Sequence, residues 1–168
     1  MQAPEQPGAA PADTRPILVL GLGNLLLRDE GVGVHVVRAL DAGPPLPPDV
    51  EVLDGATAGF GLIDILSGRR KVIVIDAIEA TCAPGSVVRL TIDDLVPTSS
   101  TPLSLHEVGF LEALAATARL GVAPQDIVIF GVRPAVVDYG LELSPTVAAL
   151  LPRIVQLVLR ELRIASDR

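Results

Sequence analysis

Runs of unbroken apolar residues alternate along this chain with stretches in which apolar residues recur every three or four positions. The first pattern is that of strands buried on both faces and the second that of amphipathic helices. Their alternation predicts an α/β fold, with a parallel or mostly parallel sheet covered by helices. Strands are expected at Ile17–Gly23 ("ILVLGLG"), Val50–Gly55, Lys71–Ile78 ("KVIVIDAI") and Asp126–Pro134 ("DIVIFGVRP"). The run "GSVVRLTIDDL" reads as a further strand, polar enough to sit at a sheet edge. Helices are expected at Gly31–Leu40, over "GFGLIDILSG", from His106 to Leu120, and from "SPTVAALL" onward. In the last of these Ser144 suits the N-cap and Pro145 the first helical position.

This pattern places acidic residues in comparable positions. Asp54 closes the second strand, Asp76 the third, and Asp29 and Glu30 lie in the loop after the first. Ligands of open α/β sheets gather beyond the carboxyl ends of the strands, where strand order switches, so these acids are expected to converge there. His106, at the start of its helix, is expected to reach the same rim.

Composition narrows the class. At 168 residues the chain is expected to form one domain over residues 17–164, with an aliphatic core, since only Phe60, Phe110, Phe130 and Tyr139 are aromatic. Residues 1–16 are rich in Ala and Pro, lack a periodic apolar face and resemble no secretory signal; they are expected to be a disordered tail. A net charge of −7 opposes binding to nucleic acid or to an anionic membrane. The single cysteine, Cys82, excludes an internal disulfide and a thiolate metal cluster and fits a reducing cytoplasm.

The loop "GLGNLLLRDEG" begins like a dinucleotide fingerprint, yet Leu26 stands where the third glycine belongs, and "NLLLRDE" delays the helix. Asp54 alone would suit a ribose. Walker and Gly-x-Ser-x-Gly motifs are absent, and in "HEVGF" Phe110 replaces the second histidine of a zinc-protease helix. A Cys82–His106 pair stays open, whereas His35, among valines, reads as structural. Glu30, Asp76 and His106 would supply two oxygen ligands and one imidazole, a set suited to zinc or nickel. Each also has an ordinary explanation: a helix cap, a turn residue, a helix start.

The stretch "LVLGLGNLLLRDEGVGVHVV" resembles the opening motif of the hydrogenase maturation endopeptidases. The likeness continues, in family order, through "LDGATAG", "VIDAI", "LHEVGF", "FGVRP" and "LSPTV", and covers roughly residues 17 to 160. The resemblance implies a three-layer α/β/α sandwich around a mixed, mostly parallel five-stranded sheet. It implies a protease that removes the C-terminal extension of a nickel-iron hydrogenase large-subunit precursor after nickel insertion. Glu30, Asp76 and His106 correspond to the metal-contacting residues, and Asp54 is also implicated; Asp54, Asp76 and His106 are the expected catalytic groups. Nickel would be supplied by the substrate, though zinc or another divalent ion could occupy the site, and no organic cofactor is expected. A cytoplasmic monomer is expected. A non-catalytic docking partner of the same precursor and, further off, a small nucleotide-binding domain remain the alternatives.

Overall fold

The computed structural model describes residues 14–55, 61–95 and 105–166, with the side chains of residues 95, 105–108 and 166 outside that set. Five strands form one sheet: β1 (Ile17–Gly21), β2 (Val50–Asp54), β3 (Lys71–Ala77), β4 (Val87–Thr91) and β5 (Asp126–Val132). Their order is β2-β1-β3-β5-β4, and only β4 runs antiparallel to its neighbour. The fold is thus the mixed five-stranded sheet expected, and the polar strand does take an edge. β1 and β3 are buried along their whole length, which is why their sequences show no polar alternation.

Helices cover both faces. Here α1 (Val32–Asp41) and α5 (Leu151–Ser166) pack on the face presented by Ile17, Val19, Ile73, Ile75, Val128 and Phe130. The other face, presented by Leu18, Leu20, Val72, Val74, Ile127 and Ile129, carries α2 (Leu62–Leu66) and α3 (Leu105–Arg119). Residues i and i+2 of one strand therefore feed one core, and i+1 feeds the other.

Three boundaries differ from the sequence reading. The last helix is two: α4 (Pro145–Ala148), capped by Ser144 as expected, and then α5. Pro152 explains the break, since it has no N–H to give and its ring crowds the carbonyl four residues back. "TIDDL" is not strand throughout; Ile92–Leu95 form a 3-10 turn. At the N-terminus, residues 1–13 of the expected tail lie outside the described residues, while Arg15 and Pro16 are tied to the sheet. The Arg15 guanidinium donates to the Val50 carbonyl (2.8 Å), and the Pro16 carbonyl accepts from the Arg70 and Lys71 amides.

The strand order reverses between β1 and β3: the chain leaves β1 for β2 on one side and returns to β3 on the other. The switch-point crevice therefore lies over the carboxyl ends of β1 and β3. Among the described residues no helix is long and apolar enough to cross a membrane.

Candidate active site on the carboxyl rim of the sheet

The loop after β1 is built from backbone contacts. Leu22 N–H bonds to the Ile75 carbonyl (2.8 Å), which carries the chain over the end of β3 before it turns back. Gly23, at φ 126°, makes that turn; a Cβ there would lie 1.8 Å from the Glu30 carbonyl oxygen. That carbonyl accepts from the Asn24 amide (3.2 Å), so the loop closes on itself around a 3-10 turn, Arg28–Gly31. At Gly33 a Cβ would lie 2.2 Å from the Ile75 carbonyl oxygen and 2.3 Å from that of Leu22. The first turn of α1 thus rests directly on the ends of β1 and β3, where a dinucleotide loop would keep room for a pyrophosphate.

The adjacent acids of this turn do different things. Asp29 is completely buried. One of its oxygens accepts from the Ala135 amide (2.9 Å), the Val136 amide (2.8 Å) and the Ser144 hydroxyl (2.8 Å), and the other from the Ser144 amide (2.6 Å). Burial pushes the pKa of this carboxyl up, but the donors of Ser144, Val136 and Ala135 outweigh it and hold the group below the ordinary carboxylate value. Asp29 is a knot joining the β1–α1 loop to the segment between β5 and α4. Glu30, the next residue, is half-buried, and its backbone is fixed by the turn.

Asp76 is the penultimate residue of β3, 3% exposed, and its Oδ1 accepts from the Ala77 amide (2.8 Å). It continues the Val72, Val74 series, so it belongs to the face carrying α2 and α3. Asp54 closes β2 in register with Gly21, which is itself in register with Ile75. Asp54 therefore belongs to the opposite face, that of α1, and Arg38 of α1 lies 3.7 Å from it. The expected convergence is thus one of edge but not of face. Glu30, Asp54 and Asp76 share the carboxyl rim, with β1 between the two aspartates, a separation of about 10 Å at ~4.8 Å per strand.

The backbone of His106 lies in the first turn of α3, and its side chain lies outside the described residues. The far end of this helix is tied to the opposite edge of the sheet, where the Val122 carbonyl accepts from the Gly68 amide (2.8 Å). At ~1.5 Å per residue its 15 residues span about 22 Å, close to the length of a seven-residue strand, so the first turn stands level with the carboxyl rim. Among the described residues no three His, Cys, Asp or Glu side chains are grouped closely enough to hold a metal ion. Cys82 is a half-buried free thiol in the loop after β3. His35 lies within α1, half-buried.

A model of the hydrogenase maturation protease family, HycI, matches residues 34–161. The hydrogenase 2 maturation protease of Escherichia coli K12 is 37% identical over 148 residues, covering 88% of this chain and 90% of that protein. This chain belongs to the hydrogenase maturation protease family. The hydrogenase expression/formation protein HupD of Rhizobium leguminosarum bv. viciae is 36% identical and covers 97% of this chain and 81% of its own length. Among solved structures, the hydrogenase maturating endopeptidase HybD of Escherichia coli superposes with a TM-score of 0.83 at 36% identity, covering 89% of this chain and 93% of that one. The protein is accordingly a peptidase.

The knot at Asp29 was not anticipated from the sequence. Its partners stand 106 to 115 positions away along the chain. "RDEG" gives no sign of which of its acids turns inward. The "GVRP" block also serves the rim through its backbone. Pro134 stops β5, Arg133 pairs with Glu79, and the next two amides go to Asp29.

Proposed function

We propose that this protease removes the C-terminal extension of a nickel-iron hydrogenase large-subunit precursor, in the cytoplasm and as a monomer, and that it recognises the nickel the precursor already carries. Glu30, Asp76 and His106 are the groups that meet this nickel, which belongs to the substrate. Two carboxylates and one imidazole form a hard-to-borderline donor set, suited to completing the coordination of an ion held elsewhere by thiolates. Docking the ion fixes the scissile bond relative to the rim and turns a bimolecular encounter into an oriented one.

The observation that carries this reading is the spacing on the rim. Asp76 and Glu30 lie at the β1/β3 switch point, and Asp54 stands about 10 Å off on the far side of β1, or roughly three residues of extended peptide. Nickel is read at one end of this span and hydrolysis occurs at the other. There Asp54, at 37% side-chain exposure, takes the proton of the attacking water as general base. The water oxygen bonds to the scissile carbonyl carbon, the C–N bond breaks, and the proton passes to the departing amine, so one water is consumed per cleavage.

The test uses purified protein with nickel-loaded and metal-free precursor, read by intact mass. Trimming of the loaded precursor alone is expected. Equal trimming of both would remove nickel from recognition, and a stable complex without mass loss would leave only a docking partner.

A further inference from the structure

Most of the large apolar side chains that the described part of the chain leaves to solvent belong to two adjoining loops. Six are exposed, and four of them, Leu26, Val137, Tyr139 and Leu141, belong to two loops on the carboxyl rim: the β1–α1 loop and the segment between β5 and α4. Tyr139 is 87% exposed. These loops are bonded to each other. Arg28 N–H donates to the Gly140 carbonyl and Gly140 N–H to the Leu26 carbonyl, both at 3.0 Å, and Asp29 fastens the base of the second loop. Arg28 adopts φ 52°, an unusual conformation for a residue with a side chain, and its aliphatic stem lies against Gly140. An apolar cluster displayed on backbone held this firmly is the mark of an interaction surface.

Building on the function proposed above, we infer that the patch of Leu26, Val137, Tyr139 and Leu141 is the docking surface for the folded body of the hydrogenase large-subunit precursor, beside its nickel. Position supports this occupant, because Arg28 and Asp29, which grip the second loop, immediately precede Glu30. A partner that brings a metal ion to Glu30 therefore has its surrounding protein close to the loops that carry this patch. Charge supports it as well. Asp138 and Glu142 are exposed within the same segment, Glu30 and Asp54 stand on the same rim, and the whole chain carries −7. A second copy would bring the same acids face to face, whereas a partner with an apolar centre and basic flanks meets both features. Tyr139 has the side chain most suited to be the anchor, with a large rigid area and a polar tip.

The experiment measures calorimetric affinity for purified nickel-loaded precursor, together with the kinetics of its trimming. It uses the wild type, the double variant Tyr139→Ser/Leu141→Ser, and Leu120→Ser, which changes an exposed apolar residue just past α3 at the opposite end of the molecule. The double variant should raise Kd and KM at least tenfold, with kcat within twofold and an unchanged circular dichroism spectrum, because it removes binding common to ground and transition states. Leu120→Ser should match the wild type, and added salt should weaken wild-type binding. An unchanged Kd in the double variant overturns the inference. So does equal weakening by Leu120→Ser, or a wild-type dimer that the double variant dissociates. Failure of the proposed function reads out separately, as precursor that binds the wild type yet loses no C-terminal mass.

Discussion

At the amino edge of the parallel strands buried charge is met by charge, whereas at the carboxyl edge the buried carboxylate of Asp29 is met by dipoles. Lys71, at 5% exposure, lies 2.6 Å from Asp126 and 2.7 Å from Glu161, and Glu161, at 6%, also accepts from Arg89 at 3.1 Å. Arg69 joins Glu51 at 2.6 Å close by. The four members Lys71, Arg89, Asp126 and Glu161 sum to zero formal charge. On the rim, Asp29 is held by three amides and a hydroxyl, and Asp76 accepts from an amide. A carboxylate gripped by a buried cation is neutralised, while one fixed by N–H groups leaves the surrounding field negative. The lower edge thus secures the fold, and the rim keeps a negative field of the kind the proposed cationic centre of the precursor would meet.

If that division holds, substitutions at the two edges should fail in different ways. The largest effect is expected from Asp54→Asn, which removes the proposed base but keeps the shape. Its kcat should fall about a thousandfold, or roughly 4 kcal/mol of activation free energy, with KM nearly unchanged. Asp76→Asn should instead raise KM for nickel-loaded precursor, since it removes the proposed contact to the ion. Both proteins should melt within a few degrees of wild type. A kcat defect in Asp76→Asn and none in Asp54→Asn would reverse the two roles.

Glu161→Ala should do the opposite. It takes from buried Lys71 one of its two carboxylate partners and leaves Asp126, a loss of about 1.5–3 kcal/mol that is measurable as a lowered urea midpoint. The folded fraction should trim precursor at the wild-type kcat. A loss of kcat beyond the folded fraction would join the lower network to the site and break the comparison.

The same network sets an acid limit. Burial raises the Glu161 pKa, but the hydrogen bonds and charges of Arg89 and Lys71 more than reverse this, so the carboxyl stays below its ordinary value of 4.5. A depressed folded-state pKa means that its stabilisation is complete above the unfolded value. It is then lost as pH falls below 4.5 and through the folded value. The urea midpoint of the wild type should therefore drop between about pH 6 and the acid range more steeply than that of Glu161→Gln, whose midpoint starts lower. Parallel curves would exclude Glu161 from the acid limit.

How much of this was legible in the sequence follows the same division. The buried strands announce themselves, because parallel strands covered on both faces must be apolar throughout, as "KVIVIDA" is. That the acids lie at strand ends follows from the same runs. Two things could not be read. Which face an acid takes depends on register with neighbouring strands, so Asp54 and Asp76, alike in sequence, fall on opposite sides of the sheet. Which member of Asp29–Glu30 turns inward depends on amides more than a hundred residues away. The charged residues of the lower edge carry no mark of burial either, since Lys71 opens its strand as a solvated lysine would.

Ser144 offers the smallest and finest test, because the sequence reveals only half of its role. It caps α4 through the Val147 amide at 3.3 Å, as its place before Pro145 suggests, and its hydroxyl also donates to Asp29 at 2.8 Å. Ser144→Ala should remove the cap and one of the donors to Asp29 while leaving the Ser144 amide bond in place, for about 1–2 kcal/mol by thermal unfolding. If the Asp29 knot also aligns the two rim loops, KM for precursor should rise a fewfold while kcat is kept, and Ser144→Thr should restore both stability and KM. A stability loss with KM unchanged would make Ser144 a helix cap alone and leave the rim loops to be aligned by the amides of Ala135 and Val136.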